Sequence, residues 1–358
     1  MSQIWVAIVF GGCSAEHEIS VMSARAVYDA LDQNKYNILP VGITSRGLWV
    51  PPDKAQKVLK KGYSRVDNVV PEEKKENIAQ SLHFFLDLEI DVVFPVLHGP
   101  YGEDGRIQGF LDMINLPCVG SGVLSSALAM DKIFTKKVLD FHDLPQADFV
   151  MVNKKRLNNQ KKIEDNYFKK LLTKINKQLG YPCFVKPANM GSSIGVSRVR
   201  SQESIKSALD KAFAYDSRII VEPEIKGREI ECSVLALDDV CVSQPGEIMP
   251  EADYYDYYSK YEGEATELLI PAALEPEVKT RICQLAEDAC RALNVEGMCR
   301  VDFFYNEQED NILINELNTI PGFTQYSMYP KLWEVSGIDF SELVDRLIEG
   351  AVANFANF

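Results

Sequence analysis

The chain has 358 residues, 46% of them apolar and 25% charged, the balance of a globular protein that buries a real core. Its length predicts about two to three domains, and 21 glycines with 17 prolines are too few for a collagen-like or low-complexity chain. The charge sum of 38 − 52 = −14 argues against general nucleic-acid binding, although a local cluster of lysines and backbone N–H groups can still hold a small phosphorylated ligand.

From the N-terminus, residues 4–10 read as a buried strand, Gly11-Gly12 as its turn, and Ile19, Met22, Ala26, Val27, Ala30 and Leu31 as one face of a helix. That first apolar run is short and has no basic region before it, and no stretch approaches the ~20 apolar residues of a membrane span. The eight cysteines form no CxxC pair and no Cys/His metal spacing, and several sit in apolar runs, as in a reduced compartment. A cytoplasmic protein without a membrane partner is expected. Residues 37–44 and 91–96 are the next strands, with helices over 105–113 and 125–139. Strands alternating with helices imply a parallel sheet with ligands at the strand C-termini. Residues 51–75 read as a surface excursion, and 153–177, dense in Lys and Asn, as an exposed insertion ending in a helix. Paired strands follow at 183–186, 195–199 and 219–222, then at 231–237, 299–305 and 312–317, with helices over 275–293 and from Phe340.

Four constellations carry chemistry. Lys186 precedes a Gly/Ser-rich loop, FVKPANMGSSIGV, whose backbone N–H groups can approach an anion while the lysine supplies a point charge. It is neither a Walker loop nor a Rossmann fingerprint, and a plain hairpin loop is the competing reading. In CRVDFF, alternation puts Arg300 and Asp302 on one face; in ILINEL followed by Asn318, Glu316 and Asn318 share another. A polar turn over 306–311 folds these strands into a hairpin, with Asp302 within about one residue of opposite Glu316. Oxygen ligands without His or Cys suit Mg²⁺ on nucleotide phosphates, not zinc. The loop HGPYGEDG lies between a strand and a helix, so His98 and Glu103 could orient a small polar ligand there. In GGCSAEHEIS, Glu16 stands near a helix N-terminus, where it either complements the helix dipole or faces a substrate ammonium.

Together these blocks resemble the D-alanine–D-alanine ligase family of the ATP-grasp superfamily. The resemblance runs along nearly the whole chain: GGCSAEHEIS, HGPYGEDG, Met130-Asp131-Lys132, FVKPANMGSSIGVS, GREIE, YYDYYSKY, CRVDFF and NELNTIPGFTQYSMYP. Tyr258 stands where the family usually has Glu, and Arg198 where Lys is common. The family's fold is α/β, with a Rossmann-like parallel sheet and two ATP-gripping α+β domains. This implies domains over 1–122, 123–222 and 223–358. The resemblance also implies ATP as co-substrate, two Mg²⁺ or Mn²⁺ ions, D-alanine as substrate and a homodimer.

Residue by residue, it implies phosphate binding by Lys132 and Lys186 with the Ser192-Ser193 loop, ribose binding by Glu229 and an adenine-side carboxylate in Glu222. Asp302, Glu316 and Asn318 match the metal ligands. Arg300 and the Gly322 N–H match the oxyanion donors, Glu16 and His98 the first D-alanine contacts, and Ser327 and Met328 the second. The Tyr-rich stretch 250–264 matches a loop over the site, from which Lys260 reaches the γ-phosphate and Tyr261 joins Glu16 and Ser192 in a hydrogen-bonded chain. The nearest alternative is a D-alanine–D-lactate or D-alanine–D-serine ligase, and Tyr261 argues against the D-lactate form; another ATP-grasp carboxylate–amine ligase, which should lack the HGPYGEDG and GGCSAEHEIS loops, and a non-catalytic nucleotide sensor are the others.

Overall fold

The computed structural model describes residues 3–70, 77–158, 164–249 and 267–356. They build three sheets. The first holds β1 (Ile4–Gly11), β2 (Tyr36–Ile43), β3 (Trp49–Val50) and β4 (Val92–Val96) in the order β3-β2-β1-β4, with β1 parallel to both β2 and β4. Val6 through Phe10 are all fully buried because both faces of the sheet are covered, so the strand reads as one apolar run and not as an alternation. Val6, Ile8 and Phe10 pack under helix His17–Ala30 and the C-terminal helix Phe340–Ala356. Ala7 and Val9 face Phe85 and Leu111, from helices Ile78–Leu86 and Arg106–Met113.

Two expectations are corrected here. Residues 51–75 are not a mere surface excursion: they contain helix Pro52–Lys60, whose Ala55, Val58 and Leu59 are buried, and Val66 beyond it is fully buried. The helical spacing of three apolar residues was masked by the lysines on its outer face. Residues 153–177 do end in a helix, Glu164–Gln178, but it is not merely exposed: it buries Leu171 and Ile175 against the second sheet.

That second sheet is antiparallel, with β5 (Val150–Asn153), β6 (Cys183–Pro187), β7 (Ser197–Val199) and β8 (Arg218–Pro223) in the order β5-β8-β6-β7. The third holds β9 (Arg228–Ala236), β10 (Val240–Val242), β11 (Gly246–Met249), β12 (Glu267–Leu269), β13 (Gly297–Asn306) and β14 (Asn311–Asn318) in the order β12-β11-β9-β13-β14, with β10 beside β9. Helix Pro276–Ala292 covers it through Ile282, Ala286 and Ala289. The helix expected over 125–139 is two helices, Val123–Met130 and Lys132–Phe141. Asp131 breaks it by accepting from the N–H groups of Ile133 and Phe134, the side-chain cap of the second helix. Ala129 and Leu139 of this pair pack into the core of the third sheet.

Candidate active site

The β13–β14 hairpin pairs Arg300 with Asn318 and Asp302 directly with Glu316, and a bulge follows Asp302. β9 lies on the other side of β13 and pairs Glu231 with Asp302. Period-two alternation therefore lines up charged residues from three strands on one face. Arg300 donates to both carboxylate oxygens of Asp302 at 2.7 Å, and its Nε lies 3.1 Å from Glu231 Oε2. Burial works against charge on this guanidinium, but Asp302 and Glu231 hold its pKa well above the usual value. Asn318 Nδ2 donates to Asp302 Oδ2 at 3.2 Å.

A cavity of about 760 Å³ adjoins this face and is lined by Lys132, Lys186, Ser193, Glu222 and Glu229. Phe304 and Ile314 give it an apolar wall. Lys186 Nζ lies 2.9 Å from one oxygen of Glu222, and Lys136 Nζ 2.9 Å from the other. Burial alone would raise the Glu222 pKa, yet Lys136 and Lys186 lower it to about 2. Two ammonium groups on one carboxylate leave a net positive charge facing a cavity large enough for a nucleotide. Lys132 donates to the Met190 carbonyl at 3.0 Å and lies 3.2 Å from Glu316 Oε2. Ser192 and Ser193 both adopt left-handed φ, 48° and 56°, which curls the loop tightly beside these lysines.

A second cavity, of about 420 Å³, is lined by Glu16, His98, Arg300, Gly322, Ser327 and Met328. The two cavities share Lys132, Gly191, Ser192 and Glu316 in their walls. Glu16 stands at the N-terminus of helix His17–Ala30, but its side chain makes no capping bond there; it accepts the Ser192 hydroxyl instead. Gly99, at φ +75°, lets the HGPYG loop close onto it, since a Cβ there would lie 2.7 Å from Glu16 Oε2. His98 is buried, with Nδ1 3.0 Å from the Ile320 carbonyl and Nε2 3.1 Å from Ser23 Oγ. Burial disfavours its charge, whereas Glu103, 3.8 Å from Nδ1, raises its pKa above the ordinary value. Ser327 precedes helix Met328–Val335 and accepts from the Thr324 N–H at 3.1 Å. The Met328 side chain is buried against Ile248 and Leu332, which leaves its backbone N–H, at the helix N-terminus, as its polar group.

The oxygen donors Asp302, Glu316 and Asn318 fit a hard divalent cation that takes its remaining ligands from phosphate and water. Among the described residues no three His, Cys, Asp or Glu side chains group so as to hold a metal alone. Lys260, Tyr261 and the rest of 250–264 lie outside the described residues. Two residues here were missed in the sequence. Lys136 stands four residues after Lys132 on one helix face, and Glu231 two after Glu229 on one strand face; both spacings were readable.

Residues 5–121 match the family described as D-ala D-ala ligase N-terminus, and residues 138–349 the family described as D-ala D-ala ligase C-terminus. A D-alanine–D-alanine ligase of Halothermothrix orenii is 48% identical, covering 98% of this chain and 99% of its own. One of Prochlorococcus marinus is 45% identical, covering 97% and 98%. Among solved structures, the D-alanine–D-alanine ligase from Coxiella burnetii superposes with a TM-score of 0.79 at 34% identity, covering 100% of this chain and 96% of that one. The VanG D-Ala:D-Ser ligase from Enterococcus faecalis does so with a TM-score of 0.81 at 33% identity, covering 98% and 100%. No described helix is long and apolar enough to cross a membrane.

Proposed function

The chain belongs to the D-alanine–D-alanine ligase family, and we propose how its residues divide the work of that reaction. It is an ATP-using ligase of the ATP-grasp fold that joins two D-alanines into a peptidoglycan precursor. ATP lies between the second and third sheets, with its base near Glu222, Phe304 and Ile314 and its ribose at Glu229. Lys132, Lys186 and the Ser192-Ser193 backbone take the phosphates. Asp302, Glu316 and Asn318 hold two Mg²⁺ or Mn²⁺ ions, which when bound offset phosphate charge.

The first D-alanine places its ammonium at Glu16 in the smaller cavity, near His98. Its carboxylate attacks the γ-phosphorus in line, forming D-alanyl phosphate and releasing ADP. The step is mostly positioning and electrostatics, and the lysines supply both. The second D-alanine binds its carboxylate at Ser327 and the Met328 N–H, a helix N-terminus suited to an anion. Its free amine attacks the acyl carbon, and Arg300 with the Gly322 N–H stabilises the oxyanion before phosphate leaves. The active protein is a cytoplasmic homodimer.

The observation that carries this reading is the shared wall of the two cavities. Lys132, Ser192 and Glu316 border both, so a phosphoryl group at one edge meets a carboxylate at the other. Phosphate release with ATP and Mg²⁺ is to be measured against D-alanine, L-alanine, D-serine and D-lactate. Release and dipeptide formation with D-alanine alone are expected. Equal turnover with L-alanine, or none with D-alanine, overturns the assignment.

A further inference from the structure

Ile320-Pro321-Gly322-Phe323 follows β14 and crosses the smaller cavity, and its two ends are held by the same pair of side chains. At one end the Ile320 carbonyl lies 3.0 Å from His98 Nδ1. A carbonyl can only accept, so Nδ1 carries the hydrogen. At the other end the Phe323 N–H donates to Ser23 Oγ at 3.3 Å. His98 Nε2 and Ser23 Oγ, 3.1 Å apart, close the circuit. With neutral imidazole, Ser23 donates to Nε2; with imidazolium, Nε2–H donates to Ser23, which has a second lone pair free for it. Both contacts therefore survive either protonation state. Ser23 is fully buried and His98 nearly so. Water does not readily replace a missing partner at such a site.

We infer that Ser23 is a positioning residue: with His98 it clamps both ends of residues 320–323 and so aims the Gly322 N–H at the reacting acyl group. The inference rests on the role proposed above for Gly322. Ser23 itself lines neither cavity; it acts through His98, which lines the smaller one, and through the Phe323 amide. Gly322 has no side chain of its own to fix it, and a Cβ there would meet Ser327 Oγ at 3.1 Å. Its amide direction must come from neighbouring residues. The two hydrogen bonds flanking it are supplied by helix His17–Ala30 and by the loop after β4, and that loop also reaches Glu16 through Gly99. The first-sheet residues that receive D-alanine would thus set the oxyanion donor as well.

The test compares the full-length parent with Ser23→Ala and Ser23→Thr in two measurements. Amide hydrogen exchange over residues 319–327 should speed up in Ser23→Ala relative to the β9 and β13 segments. In steady-state kinetics kcat should fall by about tenfold to a hundredfold, the scale of a misaimed oxyanion donor. KM for ATP should stay within about twofold, because the nucleotide cavity does not involve Ser23. Ser23→Thr, which keeps the hydroxyl, should recover most of the kcat. Unchanged exchange over 319–327 overturns the clamp, and so does a kcat loss that Thr does not rescue. If Ser23→Ala fails to fold, the exchange comparison is made between the parent and Ser23→Cys, a weaker donor and acceptor, with the same two outcomes. The exchange arm judges the clamp even if the parent makes no D-alanyl-D-alanine, a result that would fall on the proposed function instead.

Discussion

Ser192 donates its hydroxyl to Glu16, a contact between residues 176 positions apart in the chain. It ties the Gly/Ser loop of the second sheet to the start of the first helix of the parallel sheet, so one hydrogen bond joins the proposed phosphate and amino-acid sides of the site. A hydrogen bond to a charged acceptor contributes roughly 1.5–3 kcal/mol. Glu16→Ala and Ser192→Ala, each of which removes one partner, should therefore be strongly non-additive in chemical denaturation, with a coupling of about that size. Additive losses would show that the two side chains are neighbours without a shared role. In kinetics both variants should raise KM for the first D-alanine.

Glu316 sits between Lys132 and Asp302, where it borders both cavities. Glu316→Gln keeps its size and removes its charge. Turnover should fall by about a hundredfold or more, on the scale of losing an electrostatic partner of the transferring group. The melting temperature without ligand should move little. A Mg²⁺ titration of turnover checks the assignment: a variant that keeps the parent's rate at limiting Mg²⁺ would remove Glu316 from the metal set.

His17 is buried under the first loop, with Nδ1 2.7 Å from the Gly12 carbonyl and Nε2 accepting the Val66 N–H at 3.1 Å. His17→Ala strands both backbone groups, and each buried orphan costs about 1–3 kcal/mol. The expected loss of stability by urea unfolding is roughly 2–6 kcal/mol for the two groups together. A loss under about 0.5 kcal/mol, the scale of an ordinary surface change, would show that the pin is dispensable.

The β13–β14 hairpin was the most legible part of the site in the sequence. Period two fixed which faces Arg300, Asp302, Glu316 and Asn318 share, and the observed register pairs Asp302 with Glu316. The parallel order around β1 was legible for the same reason, since a continuous apolar run needs cover on both faces. Helix Pro52–Lys60 was not, nor was the burial of the helix expected at the end of 153–177, because surface lysines outnumber the few apolar residues that face the core. The break at Asp131 was hidden because an N-cap and a mid-helix aspartate look alike until the chain bends. The His98 contacts were invisible for a different reason: Ser23 and Ile320 are 75 and 222 residues away from it. No local pattern encodes such a meeting.

Glu222 gives the sharpest dependence on pH. The ordinary value for its carboxyl is 4.5, and in the fold Lys136 and Lys186 outweigh burial to bring it to about 2. The sign follows from proton counting. Between those two values the unfolded chain binds a proton at this site and the folded chain does not, so acid favours unfolding. The stabilisation is complete above about pH 5 and is lost as pH falls toward 2, at a limiting slope of about 1.4 kcal/mol per pH unit. Glu222→Gln has no such proton to bind. Urea-unfolding free energies of parent and variant should therefore differ by a constant amount from about pH 7 to pH 5, with the parent's advantage narrowing from about pH 4 downward. Lys136→Met is the second arm. With one ammonium gone and burial unchanged, the carboxyl should protonate at higher pH, so the loss of stability should begin nearer neutrality. A parent-to-Gln gap that stays constant down to pH 3 would mean that Glu222 is not held ionised by the two lysines. That result would also remove the reason to place a net positive charge beneath the nucleotide.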